Sequence, residues 1–74
     1  MVRLYKTERC EWCVQVKKFL DYKKVAYEEI QLEDNPELAQ EFYSRGYVTI
    51  PIVTNGDKIT AGYSVPKLLE LLNG

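Results

Sequence analysis

Residues 2–22 read VRLYKTERCEWCVQVKKFLDY, and within this run the spacing of apolar side chains changes period. Val2, Leu4 and Tyr5 lie in a short stretch rich in strand formers, which predicts a β-strand over Val2–Lys6. From Cys13 onward, Cys13, Val16, Phe19 and Leu20 recur at helical spacing, with Lys17, Lys18, Asp21 and Lys24 among the polar positions, which predicts a helix over roughly 11–23. The two cysteines of the chain, Cys10 and Cys13, fall where the strand gives way to the helix.

Working outward, Val25–Leu32, with Tyr27 and Ile30 inside it, reads as a second strand. A strand, helix and strand in succession make a β-α-β unit with parallel strands. Asn35-Pro36-Glu37 supplies an N-cap residue, a proline at the first helical position and an acid at the positive end of the helix dipole. A second helix follows, with Leu38, Ala39, Phe42 and Tyr43 as its apolar face and Gly46 as its terminator. Val48–Thr54 is a β-branched strand interrupted by Pro51, Asn55-Gly56 is a hairpin turn, and Lys58–Ala61 returns antiparallel. Gly62 marks a bend and Ser64 a cap, and Leu68, Leu69, Leu71 and Leu72 give a last helix ending at Asn73-Gly74. The order is β-α-β-α-β-β-α, an α/β chain with a mixed four-stranded sheet and three flanking helices.

The chain has 74 residues, 46% of them hydrophobic and 28% charged, which is ordinary globular usage. It is expected to fold as a single domain over residues 1–74, although a chain this short buries only about 60% of the surface it exposes when unfolded. No stretch approaches the roughly 20 apolar residues of a membrane span, and the N-terminus lacks the layout of a signal peptide, so a cytoplasmic setting is expected. A net charge of −1 argues against nucleic acid as the main partner. The charge is unevenly spread: Arg3, Lys6, Arg9, Lys17, Lys18, Lys23 and Lys24 outnumber the acids of residues 1–24, while residues 28–41 carry six acids and no base. Two solvated faces explain this; a basic rim near the cysteines that guides an acidic partner is the functional alternative.

Two cysteines can serve as a structural staple, a metal half-site or a redox pair. A disulfide across two intervening residues closes almost no loop and so stabilises little. Zinc needs about four ligands, and the chain has no His and no third Cys, so a metal site would have to be shared between two chains. At a helix N-terminus, unpaired N–H groups and the dipole favour a thiolate, which makes Cys10 the nucleophile, with Cys13 one turn further on as the resolving thiol. Lys6 and Arg9 would help the thiolate, and Glu8 and Glu11 would oppose it. Trp12 can shield the pair or meet a partner, and Tyr5, Tyr47 and Tyr63 read as half-buried packing residues, with Tyr63 the exception to watch for a functional role. Pro51 cannot donate to a ladder; at an edge it would leave the Ile50 backbone open to strand addition by a substrate segment.

Taken together, Cys10-Glu11-Trp12-Cys13 after a first strand, Thr49-Ile50-Pro51 before a third and Ala61-Gly62-Tyr63-Ser64-Val65-Pro66 before a last helix resemble the glutaredoxin family over nearly the whole chain. Both ordinary glutathione-dependent glutaredoxins and the NrdH-type redoxins that supply electrons to ribonucleotide reductase are similar. The resemblance implies a thioredoxin fold, a thiol-disulfide oxidoreductase with no bound cofactor, and a cis Pro51 against the cysteines. It further implies that Thr49 and Ile50 contact the bound peptide or glutathione through their backbone, with Gly62 and Tyr63 on the opposite wall and Lys6, Arg9 and Trp12 nearby. Glu11-Trp12 stands where many glutaredoxins have Pro-Tyr, Gly62-Tyr63-Ser64-Val65-Pro66 leans toward the redoxin branch, and Thr7 occupies the usual lysine register. Glutathione as cosubstrate and thioredoxin reductase as electron source both stay open. The expected partner is a disulfide-bearing protein, ribonucleotide reductase among them, met by a monomer. An iron-sulfur carrier with a cluster shared between two chains is the alternative class.

Overall fold

A computed structural model describes residues 1–73. Strand β1 (Val2–Lys6) is followed by helix α1 (Glu11–Tyr22), strand β2 (Tyr27–Gln31), a 3-10 turn (Leu32–Asp34) and helix α2 (Pro36–Ser44). Strands β3 (Ile52–Asn55) and β4 (Lys58–Ala61) and helix α3 (Val65–Asn73) complete it; the expected end of the last helix at Gly74 lies outside the described residues. The sheet order is β2-β1-β3-β4. β1 runs parallel to β2 and antiparallel to β3, and β3 pairs antiparallel with β4.

Because strand side chains alternate between faces, the two inner strands feed two cores. Leu4 and Val53 point to one side and meet Val16 and Leu20 of α1 and Leu68 and Leu71 of α3. Tyr5 and Ile52 point to the other and meet Leu32 and Phe42, the Tyr5 and Phe42 rings crossing edge to face at 4.8 Å. Tyr43, assigned to the apolar face of α2 by its spacing, is exposed instead.

Chain reversals explain where the elements fall short of their expected lengths. β2 begins at Tyr27 because the end of α1 consumes the residues before it: the Lys24 N–H donates to the Asp21 carbonyl and that of Val25 to Leu20. Lys24 occupies the left-handed region at φ 57°, a position usually given to glycine. β2 ends at Gln31 because Leu32 turns inward and roots the 3-10 turn in the core. Asn35 does precede α2, but its side-chain amide donates to the Gln31 carbonyl at 2.9 Å and leaves the helix N–H groups uncapped. At the far end Gly46, at φ 91°, closes a Schellman motif in which the Gly46 and Tyr47 N–H groups donate to Tyr43 and Phe42.

β3 starts only after Pro51, since proline cannot donate to the ladder and residues 48–51 run as irregular chain. Pro51 therefore opens an inner strand, where an edge position was also allowed by its chemistry. In the hairpin Asn55 pairs with Lys58, so the two turn residues are Gly56 and Asp57, one step beyond the expected Asn-Gly centre. Gly56 at φ 63° fits the first central position of a type II′ turn. Asn55 is thereby the last strand residue, and its amide donates to the Leu71 carbonyl of α3 at 2.9 Å.

The exposed Lys24 carries a left-handed backbone without glycine's freedom. Lys24→Gly is expected to raise stability by about 0.5–1 kcal/mol, the relief of the side-chain clash exceeding glycine's entropic penalty in the unfolded chain. Urea unfolding should show a higher midpoint with an unchanged slope, while Lys24→Ala gives no such gain.

Candidate active site

Cys10 is the N-cap of α1, its backbone extended at φ −129°. The Cys13 N–H donates to Cys10 Sγ at 3.0 Å, and the Val14 N–H donates to the Cys10 carbonyl. The two cysteines are joined as a disulfide. Their exposure differs: Cys13 is 3% exposed on the inward face of α1, whereas Cys10 is only partly covered. When the pair is reduced, the Cys13 N–H and the positive end of the helix dipole face Cys10 Sγ, an arrangement that favours a thiolate there.

The walls come from two distant segments pinned together. The Gly62 N–H donates to the Pro51 carbonyl at 2.8 Å, and the Ile50–Pro51 peptide is cis, as the resemblance implies. Gly62 adopts φ 82°, and a Cβ built on it would lie 3.5 Å from Thr49 Cγ2. That turn carries Tyr63 onto Trp12, with ring centroids 5.6 Å apart and planes 16° from parallel. Trp12 is nevertheless 59% exposed, so its outer face is available. Trp12, Thr49, Ile50, Gly62 and Tyr63, five of the candidate binding residues, line one small depression.

Ile50 also belongs to a second depression on the α2 side, with Thr7, Glu33, Gln40, Tyr43 and Val48. Among the described residues no hydrogen bond uses the backbone of Thr49 or Ile50. The two hollows thus share Ile50 and flank a short bend of chain whose backbone is unpaired among the described residues. Composition and periodicity missed Tyr43, Val48 and Glu33, because the second hollow is assembled from segments separated in sequence. Glu33 also accepts the Glu8 N–H at 2.8 Å, a tie between residues 25 apart that leaves no local pattern to find.

The candidate cations stand elsewhere. Lys6 Nζ lies 3.1 Å from Glu29 Oε1, which it shares with Lys17 at 3.3 Å. Neither Lys6 nor Arg9 is among the residues lining the two hollows. The hydrogen bond from Lys6 holds the Glu29 carboxyl below its ordinary value of 4.5; partial burial opposes this and Lys17 reinforces it. Among the described residues no cluster of three or more His, Cys, Asp or Glu is placed to hold a metal ion.

The glutaredoxin family model matches residues 2–59. The chain belongs to the glutaredoxin family. The glutaredoxin-like protein NrdH of Lactococcus lactis subsp. lactis is 30% identical over 71 residues, 96% of this chain and 99% of that protein. Among solved structures, the glutaredoxin grx-1 from Archaeoglobus fulgidus superposes with a TM-score of 0.85 at 30% identity, over 99% of this chain and 86% of that one. NrdH-redoxin from Escherichia coli, a glutaredoxin-like protein with a thioredoxin-like activity profile, shares the fold at a TM-score of 0.88 and 23% identity, over 95% and 92% of the two chains. This glutaredoxin-family chain is accordingly a thiol-disulfide oxidoreductase carrying its CxxC pair at Cys10 and Cys13.

Two outcomes follow from the geometry of this glutaredoxin-family site. Gly62→Ala should destabilise the fold by about 1–2 kcal/mol, because alanine pays for the left-handed conformation that glycine adopts freely. It should also shift the emission of Trp12, the sole tryptophan, as Tyr63 moves off its face. Glu29→Gln should cost less than about 1 kcal/mol at neutral pH, since the ion pair is about a third exposed. That margin is fully present above the carboxyl's unfolded value and vanishes as pH falls through its lowered folded value, which paired urea melts across the acid range would read.

Proposed function

We propose that the protein is a dithiol electron donor that reduces disulfides presented on an extended protein segment. The observation that carries this is the unequal cover of the pair: an accessible Cys10 at a helix N-terminus, backed by a buried Cys13. In the first step the Cys10 thiolate attacks one substrate sulfur, the substrate S–S bond breaks, and its other sulfur leaves as a thiolate and takes up a proton. Cys13, deprotonated in turn, attacks Cys10 in the mixed disulfide and expels the second substrate thiol. Two electrons pass to the substrate, and the Cys10–Cys13 disulfide remains.

The substrate segment crosses the site by pairing with the Thr49–Ile50 backbone, its alternate side chains entering the two hollows on either side of Ile50. Trp12 and Tyr63 form one end wall and present flat apolar surface to it. The donor works as a monomer in a reducing cytoplasm. Two glutathione molecules, or the dithiol of thioredoxin reductase, restore the reduced pair, and ribonucleotide reductase is the first protein substrate to examine.

The test is NADPH consumption with an insulin or model-protein disulfide, coupled in turn to glutathione with glutathione reductase and to thioredoxin reductase alone. Cys10→Ser should abolish turnover in either system, and Cys13→Ser should accumulate a mixed disulfide visible by mass. Undiminished reduction by Cys10→Ser would refute the assignment.

A further inference from the structure

The turn Thr7–Arg9 leaves the end of β1 and delivers Cys10 to the N-cap of α1. It has no buried side chain of its own: Glu8 and Arg9 are exposed and Thr7 is half-buried. Its placement therefore depends on polar ties, and among the described residues one side-chain hydrogen bond reaches it, from the Glu8 N–H to Glu33 Oε1 at 2.8 Å. Glu33 offers this acceptor from a fixed base. Its 3-10 turn is rooted by buried Leu32 and closed by the Asn35 N–H on the Leu32 carbonyl and the Asn35 amide on Gln31. A hydrogen bond from a backbone N–H to a carboxylate is shorter and stronger than one to a neutral acceptor, and suits a role of holding a turn.

We propose that Glu33 is a positioning residue for Cys10: it fixes the entry of the chain into α1 and so keeps Cys10 Sγ in reach of the Cys13 N–H. This rests on Cys10 being the nucleophile. Glu33 has two effects of opposite sign on that sulfur. Its hydrogen bond holds the turn so that the helix N–H can stabilise the thiolate, while its negative charge repels the thiolate. The positioning effect dominates.

The opposition in sign supplies the experiment. The rate of iodoacetamide alkylation of the reduced protein, followed against pH, reports the Cys10 thiolate independently of any protein substrate, and mass mapping shows which cysteine reacts. Glu33→Gln keeps an oxygen acceptor and removes the charge, so it should alkylate at neutral pH as fast as the natural protein or faster. Glu33→Ala removes both and should alkylate about threefold more slowly, with its pH profile moved upward, the size expected for losing one modest hydrogen bond. Glu33→Asp, which withdraws the acceptor by one methylene, should follow Glu33→Ala and serves if the alanine variant fails to fold. Faster alkylation in Glu33→Gln and Glu33→Ala alike, with Glu33→Asp unchanged, would make the effect one of charge alone and overturn the proposal, as would unchanged pH profiles in Glu33→Ala and Glu33→Asp. Preferential alkylation of Cys13 in the natural protein would instead overturn the nucleophile assignment beneath it.

Discussion

The pairing of β1 with β3 is the constraint on which the rest depends. Tyr5 sits opposite Ile52, so the C-terminal end of β1 lies against the beginning of β3. One strand end leads within a few residues to Cys10, and the other is preceded by Pro51 and the open Thr49–Ile50 backbone. A slip of β1 by one residue would turn Leu4 out of one core and Tyr5 out of the other, so burial on both faces holds this register firmly. Chemistry at the tip of the sheet is thereby positioned by packing at its centre.

Much of this was legible because it is written in local chemistry. The change of period after Lys6 placed the cysteines at a helix start, and β1 and β4 occupy the residues the pattern assigns them. Shortfalls arose where a residue did something its type does not advertise. Lys24 ends α1 in a conformation normally signalled by glycine, so the start of β2 was read early. Leu32 looks like the end of a strand and is the root of a turn. Asn55-Gly56 looks like a turn centre, yet Asn55 is kept in the strand by its bond to α3.

The candidate site divides in the same way. Resemblance to glutaredoxins drew attention to Trp12, Thr49, Ile50, Gly62 and Tyr63, and these meet around one hollow. Lys6 was named for its charge and nearness in sequence, but alternation places it on the face of the sheet shared with α1, where it pairs with Glu29, a carboxylate it shares with Lys17. The contribution of α2 was invisible to spacing, since Gln40 and Tyr43 reach the site only because the 3-10 turn and the Schellman motif fix the angle at which that helix lies.

The unpaired backbone at Thr49 and Ile50 poses a further problem for a chain of this size, because exposed N–H and C=O groups without partners recruit other chains. The sheet has two outer edges that could do the same. Both are blunted: β4 is four residues long and opens on Lys58, and β2 carries the adjacent carboxylates Glu28 and Glu29. With its lateral borders short or charged, the sheet leaves the Thr49–Ile50 segment as its unpaired stretch among the described residues, so the substrate pairing proposed there would be kept apart from edge-to-edge aggregation.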